Sequence, residues 1–175
     1  MHDYRLTQLI SPDELRRHLD EMAERINKDY EGKSLVLIGI LKGSFIFLAD
    51  LARRLTVPVE IDFVRLASYG TKTETSGQIE ITKDIELAVE GRDVLLVEDI
   101  IDTGTTVAWY LEKMQGRSPA SIKICALIDK YERRSKEVPI DYVCIPLEKG
   151  FVVGYGLDFS ERHRNLPGIY EVQFT

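Results

Sequence analysis

The sequence has little cysteine, no recognisable signal peptide and no long apolar run. Its two cysteines, Cys125 and Cys144, stand in apolar stretches without the spacing of a zinc site, so we expect buried thiols in a reducing compartment. No apolar run approaches the roughly 18 residues that a membrane-spanning helix needs. These absences argue against a disulfide-stapled scaffold and a membrane protein, and we expect a cytoplasmic protein.

An excess of positive charge is also missing. The net charge is −6 over 175 residues, which argues against nucleic acid as the main ligand. A small ligand that carries phosphate remains possible, because it needs only local positive groups. The length fits one domain, and no repeat or linker divides the chain, so we predict a single domain over residues 1–175.

The most informative stretch, residues 94–106, has the sequence VLLVEDIIDTGTT. Its first four residues are apolar without alternation, which is typical of a strand buried on both faces of a parallel sheet. Three carboxylates follow within five positions: Glu98, Asp99 and Asp102. A single acidic residue there could be a helix-capping or dipole partner, but three at the end of so apolar a strand favour a ligand site.

A turn of small hydroxylated residues, 103–106, follows these carboxylates and leads into a helical pattern over residues 107–114. Such a turn offers backbone N–H groups and the positive end of a helix dipole to a phosphate. Carboxylate oxygens nearby are able to bind sugar hydroxyls or Mg²⁺. The pattern therefore predicts a site for a phosphorylated sugar.

Other parts of the chain predict further strands and helices. Ser11, Pro12 and Glu14 form the signature of a helix start with a capping box. Apolar or alternating runs predict strands over residues 34–41, 58–67, 79–85, 121–128 and 140–146, and a helix is expected over 45–54. We predict an α/β fold with a twisted, mostly parallel sheet flanked by helices.

Two polar segments need separate interpretation. Residues 68–78 (SYGTKTETSGQ) contain almost nothing apolar, and we predict a mobile lid there, with a surface hairpin as the alternative. Residues 131–138 carry Arg133, Arg134 and Lys136, and we interpret them as a solvated connection.

The stretch 94–106 resembles the phosphoribosyl pyrophosphate (PRPP) signature of type I phosphoribosyltransferases, and its Glu98-Asp99 pair most resembles the hypoxanthine-guanine branch. Further matches extend the resemblance from Leu41 to Arg164, in order and at family spacing. Two departures are the longer link over residues 146–150 and Thr105, where relatives often carry Lys. The resemblance implies a small C-terminal hood at about 145–175.

Roles for individual residues are implied by this resemblance. Asp102 is the implied general acid/base, Lys130 binds the exocyclic oxygen of a 6-oxopurine, Phe151 stacks on the base, the backbone of Val152 binds it, and Asp158 serves the base and a metal. Glu98, Asp99 and Asp158 are the implied ligands of a Mg²⁺ cofactor. The implied contacts to PRPP and its phosphates are Leu41, Lys42, Gly43, Ser68, Tyr69, Glu98, Asp99, Asp102, Thr103, Gly104, Thr105, Thr106 and Arg164. In the family the peptide bond before the equivalent of Lys42 is often cis, which the sequence does not determine.

The implied activity is Mg²⁺-dependent transfer of the phosphoribosyl group from PRPP to hypoxanthine or guanine in purine salvage, giving IMP or GMP and diphosphate, by a homodimer or homotetramer. A regulator on the same fold is a weaker alternative, because it could dispense with Lys130 and the block 151–158. A xanthine-preferring enzyme remains open, since backbone groups can accommodate one more oxygen.

Overall fold

The computed structural model describes residues 3–71 and 74–174, and the side chains of residues 68–78 lie outside the described part. Nine strands and three helices are found in these ranges. The strands are β1 Tyr4–Ile10, β2 Leu35–Leu41, β3 Val59–Thr71, β4 Glu74–Lys83, β5 Asp93–Ile101, β6 Ser121–Lys130, β7 Tyr142–Leu147, β8 Val152–Val153 and β9 Ile169–Phe174. The helices are α1 Pro12–Asp29, α2 Phe45–Ala52 and α3 Thr105–Gln115.

Six strands form the main sheet, in the order β4-β3-β2-β5-β6-β7. Strands β3, β2, β5, β6 and β7 are parallel, and β4 is antiparallel to β3 at one edge. The predicted α/β fold with a mostly parallel sheet is therefore confirmed. Because β2, β5 and β6 are adjacent and parallel, the residues that follow them meet at one edge of the sheet.

The core lies on both faces of this sheet. Along β5, Leu95 and Val97 pack with α1 and α2 on one face, whereas Val94 and Leu96 pack with α3 on the other. This alternation explains why the strand is apolar without interruption. The capping box of α1 is present as predicted, with the Glu14 N–H donating to Ser11 Oγ at 3.2 Å and the Ser11 N–H to Glu14 Oε2 at 3.0 Å. Both cysteines are buried and free. No helix in the described ranges is long and apolar enough to cross a bilayer.

A second, antiparallel sheet of three strands has the order β1-β9-β8. The N-terminal strand β1 pairs with β9 along most of its length, from Tyr4 with Phe174 to Ile10 with Ile169. No pattern in the sequence predicted this pairing, since residues 4–10 are only partly apolar. The predicted hood at 145–175 remains a prediction, and the small sheet at that end of the chain includes a strand from outside those bounds.

Within the segment that was predicted to be a lid, with a surface hairpin as the alternative, residues 68–71 belong to β3 and residues 74–78 belong to β4. Ser68 pairs with Ile79 and Tyr69 with Gln78 along the backbone. Lys72 and Thr73 lie outside the described residues. Movement of this hairpin stays a prediction.

Two glycines join the C-terminal segment to the turn between β2 and α2. A Cβ on Gly156 would lie 2.0 Å from the carbonyl oxygen of Gly43, and the φ angle of Gly156 is +105°. An L residue rarely adopts such an angle. The Gly156 N–H also donates to the carbonyl of Arg164 at 2.9 Å. This close backbone contact places the residues after β8 beside the end of β2.

Gly156→Ala should destabilise the protein more than Gly91→Ala. Both positions have positive φ, +105° and +69°, but only Gly156 has atoms within 4 Å of the added Cβ. The left-handed conformation costs about 1–2 kcal/mol at either position. Overpacking against a backbone oxygen should add roughly 1–3 kcal/mol at Gly156 alone. Urea unfolding of the two variants measures the difference, and equal losses would contradict the contact.

Candidate active site

The two adjacent carboxylates of β5 point to opposite faces of the sheet. Glu98 is only 8% exposed and lines a cavity on the α3 side. Asp99 lies on the other side against Gly43, where a Cβ would be 1.5 Å from Asp99 Oδ2. Burial raises the pKa of Glu98 well above its usual range, and the neighbouring Asp99 carboxylate adds to this rise. The two carboxyl groups therefore have different neighbours but still interact with each other.

The cavity beside Glu98 has a volume of about 250 Å³ and lies between the end of β5 and the start of α3. Its polar lining consists of carboxylates, hydroxyls and the backbone of the turn, and its apolar lining comes from β2, β3, β5 and α3. Six residues that were predicted for PRPP binding line it: Leu41, Glu98, Asp102, Thr103, Gly104 and Thr106.

The N-terminus of α3 is open to this cavity. Gly104 is the N-cap, with a φ angle of +80°, and no side chain caps the helix there. A Cβ on Gly104 would lie 2.2 Å from the carbonyl oxygen of Lys136, so only glycine fits. The Thr105 N–H makes a 3.3 Å bond to Thr103 Oγ1, and its hydroxyl lies 3.4 Å from that of Ser135. An uncapped helix N-terminus of this kind suits a phosphate group.

Asp102 has one carboxylate oxygen engaged and one without a partner. Its Oδ2 lies 3.4 Å from Lys130 Nζ and also accepts a hydrogen bond from Arg133. Its Oδ1 is buried and has no hydrogen-bond partner among the described residues. A buried acceptor without a partner is unfavourable unless a ligand supplies the donor.

Lys130 is buried, whereas a lysine after a strand usually extends into solvent. Lys130 is 5% exposed, and its ammonium group donates a hydrogen bond to the carbonyl of Gly150 at 3.2 Å. Gly150 is the last residue of the link over residues 146–150, which is longer than the family pattern. The link therefore contacts the lysine directly. Phe151 follows immediately and is 42% exposed. A fixed ammonium thus lies next to an accessible aromatic ring.

Phe151 belongs to a group of aromatic rings in edge contact. Its ring centroid lies 5.6 Å from that of Phe159 and 6.5 Å from that of Phe174. The next residue, Val152, is 6% exposed and pairs in β8 with Glu171 of β9. The sheet therefore fixes the position of Phe151 while leaving much of its surface free. Stacking on a base, and a backbone contact from Val152, remain predictions.

The two cations predicted for diphosphate share an acidic partner that the sequence did not indicate. Lys42 Nζ lies 2.9 Å from Glu161 Oε1, and Arg164 Nη2 lies 3.2 Å from Glu161 Oε2. These cations, Lys42 first, hold the pKa of Glu161 below its usual range. Arg164 also pairs with Asp158 at 2.9 Å and donates to the Gly156 carbonyl at 2.7 Å. The peptide bond Leu41–Lys42 is cis.

The three predicted metal ligands do not form one cluster. Within the described ranges no group of three or more His, Cys, Asp or Glu side chains could hold a metal ion. Glu98 and Asp99 face opposite sides, and Asp158 is paired with Arg164. Mg²⁺ is commonly bound by only one or two carboxylates together with substrate phosphates. These carboxylates therefore fit a metal that arrives with a phosphorylated substrate, and the predicted ligand roles remain predictions.

Most of residues 131–138 are exposed, as expected for a solvated connection, but Arg134 is an exception. Arg134 has a side chain only 13% exposed, and it donates hydrogen bonds to the ends of β5 and β6. The Ser135 and Lys136 N–H groups both bond the carbonyl of Thr103, at 3.0 and 2.9 Å. The segment thus supports the turn at the start of α3. The side chains of Ser68 and Tyr69 lie outside the described part, so their predicted contacts cannot be placed.

Comparisons with known proteins agree with this geometry. A family model for the phosphoribosyl transferase domain matches residues 8–160. A hypoxanthine phosphoribosyltransferase of Haemophilus influenzae is 43% identical, covering 98% of both chains. A hypoxanthine-guanine phosphoribosyltransferase of Bacillus subtilis is 42% identical over 92% of this chain and 89% of its own.

Solved structures give the same result. A crystal structure of a hypoxanthine-guanine phosphoribosyltransferase from Bacillus anthracis superposes with a TM-score of 0.90 at 40% identity, covering 97% of this chain and 99% of that one. A hypoxanthine phosphoribosyl transferase from Trypanosoma cruzi has a TM-score of 0.91 at 38% identity, with coverage of 99% and 94%. The chain belongs to the phosphoribosyltransferase family, in the branch of the hypoxanthine-guanine phosphoribosyltransferases.

Proposed function

We propose that this chain transfers the 5-phosphoribosyl group of PRPP to hypoxanthine or guanine and releases diphosphate. The observation that carries the choice of base is the burial of Lys130 between the Gly150 carbonyl and Asp102, beside the exposed ring of Phe151. A fixed ammonium has only donors, so it favours a base that presents an oxygen acceptor. Relatives whose names give the same activity support the proposal.

In this reaction the purine nitrogen forms a bond to C1 of the ribose while the bond from C1 to the diphosphate oxygen breaks. Asp102 takes the proton from the imidazole part of the purine as the glycosidic bond forms. Its buried Oδ1, which has no partner in the part of the chain described, is available to accept that proton. Phe151 orients the base by stacking.

The departing diphosphate and the positive sugar need opposite charges near them. Lys42 and Arg164 bind the diphosphate, and this anion replaces Glu161, which pairs with both cations in the structure. The 5-phosphate binds at the uncapped start of α3, in the cavity lined by residues 103, 104 and 106. The hydroxyls of the ribose bind Glu98 and Asp99.

The proposal includes Mg²⁺, with Glu98, Asp99 and Asp158 as the residues that hold it together with the substrate. A bound Mg²⁺ supplies positive charge at the leaving group. We further propose that the β3–β4 hairpin excludes water during the reaction and that the chain works as a homodimer or homotetramer. A cytoplasmic location remains a prediction.

A panel of hypoxanthine, guanine, xanthine, adenine and uracil, each with PRPP and Mg²⁺, tests the proposal directly. Diphosphate release is followed for each base. Fast diphosphate release with hypoxanthine or guanine, and with no other base, supports the proposal. Fastest release with xanthine would make xanthine the preferred substrate. Release with none of the bases would favour a regulator that binds nucleotides or PRPP on the same fold.

Asp102→Asn should lower kcat by roughly 10²-fold or more, the size of a lost general acid or base, with the KM for PRPP nearly unchanged. The substitution keeps the shape of the side chain but removes the proton acceptor. Asp20→Asn on the exposed side of α1 is the matched control, and it should keep full activity. Steady-state kinetics measures both, and unchanged turnover in Asp102→Asn would remove Asp102 from the chemistry.

Lys130→Met should raise the KM for hypoxanthine and guanine and reduce their advantage over adenine. An unpaired buried polar group costs about 1–3 kcal/mol, so roughly tenfold to 100-fold of base discrimination should be lost. The KM for PRPP should change little. Lys149→Met, at an exposed neighbouring position, controls for loss of a charge. A mutant that retains the full preference for oxopurines would show that base selection lies elsewhere.

Removal of divalent metal should abolish diphosphate formation. Hard oxygen ligands favour Mg²⁺ or Mn²⁺, so either ion should restore the rate after treatment with EDTA. Isothermal titration should also show weaker PRPP binding without metal. Full activity in excess EDTA would contradict the metal assignment.

A further inference from the structure

Arg134 lies just after β6 and joins the ends of two strands. Its Nε donates to the carbonyl of Asp102 at 2.9 Å, and its Nη2 donates to the carbonyls of Ile101 at 3.0 Å and Lys130 at 3.1 Å. The same Nη2 pairs with the carboxylate of Asp129. The guanidinium therefore makes bonds both to the last residues of β5 and to those of β6.

These two strand ends carry the groups that contact the base in the proposed reaction. Asp102 follows β5 directly, and Lys130 is the last residue of β6. Their side chains approach to 3.4 Å, between Asp102 Oδ2 and Lys130 Nζ. Both groups must face different atoms of one rigid planar base, so their relative position decides whether each is within reach. Backbone shifts of either strand end would misplace one of them.

Arg134 is suited to fixing this distance because its guanidinium is planar and always charged. Its side chain is 13% exposed and that of Asp129 is 17% exposed, so water weakens their ion pair less than it weakens a surface pair. A lysine could keep the charge but could not direct several donors in one plane. The neighbouring residues 135 and 136 hold the Thr103 carbonyl through their own backbone N–H groups, independently of the Arg134 side chain.

We propose that Arg134 is a positioning residue, which sets the spacing between the proton acceptor Asp102 and the base-selecting Lys130 by holding the ends of β5 and β6 together. The inference rests on the proposed function. In this role Arg134 does not contact the substrate. Loss of the Arg134 guanidinium should therefore change the discrimination between bases, although Lys130 and Asp102 are both still present.

The test compares Arg134→Lys, Arg134→Gln and Asp129→Asn with the wild type, and uses Lys136→Gln as the charge-matched control in the same segment. Steady-state constants are measured for hypoxanthine, adenine and PRPP, and thermal unfolding reports the stability of each variant. Arg134→Lys and Arg134→Gln should lower kcat/KM for hypoxanthine by roughly tenfold to 100-fold, as expected for a misplacement of about 1 Å. The ratio of hypoxanthine to adenine should fall, and the KM for PRPP should stay within about twofold.

Asp129→Asn leaves Arg134 in place but removes its carboxylate partner, so it should show the same pattern more weakly. The control Lys136→Gln should match the wild type. Should Arg134→Gln fail to fold, Arg134→Lys and Asp129→Asn carry the test. A purely structural defect lowers the amount of active protein, and it therefore reduces kcat for all bases alike without changing KM or base preference.

Wild-type base preference in Arg134→Lys and Asp129→Asn, whether or not stability falls, would overturn the positioning role. A wild-type protein that transfers to no base would overturn the proposed function and this inference with it. An active wild type with unaffected variants would overturn the inference alone.

Discussion

Burial of charged side chains at the carboxyl edge of the parallel sheet is the constraint from which the arrangement of the site follows. Lys130 is 5% exposed and Glu98 is 8% exposed. An isolated buried charge is so unfavourable that it must be neutralised, paired or hydrogen bonded. Lys130 has Asp102 and the Gly150 carbonyl as partners, and burial raises the pKa of Glu98. Much of the polar environment is thus organised before a substrate binds.

The period of a β-strand explains why two adjacent carboxylates have different neighbours. Successive side chains on a strand point to opposite faces. Glu98 accordingly faces the cavity before α3, and Asp99 faces the turn that contains Gly43. In the proposed reaction, a ligand that extends from the cavity over the strand end to this turn can contact both.

Sequence patterns predicted most of the main sheet because its strands have long apolar runs and its first helix has a complete capping box. They also drew attention to Asp102, which follows a strand directly, whereas the role of Lys130 at the end of β6 was implied only by the family resemblance. The ion-pair and hydrogen-bond partners of the site residues could not be predicted. Lys42 and Glu161 are 119 positions apart, and Arg134 and Asp102 are 32 apart, so nothing in the local sequence relates them.

The N-terminal strand was missed for a similar reason. Residues 4–10 are only partly apolar, and their partner β9 lies at the other end of the chain. Residues 68–78 were predicted to be a lid, with a surface hairpin as the alternative. Residues 68–71 and 74–78 belong to the paired strands β3 and β4, and Thr and Tyr suit strands. Composition alone does not separate a long polar hairpin from a loop.

The two sides of the site differ in how firmly their ion pairs are held, and this difference fits the proposed reaction. The side chains of Lys42 and Glu161 are 49% and 64% exposed, and exposed pairs contribute only about 0–1 kcal/mol. A diphosphate with several charges can therefore displace Glu161 at little cost, and Glu161 can return when the product leaves. By contrast, the side chains of Lys130 and Asp102 are 6% and 20% exposed, and breaking that ion pair would leave an unpaired buried charge. In the proposed reaction, the base would therefore contact fixed groups, whereas the leaving group would contact groups that can exchange partners.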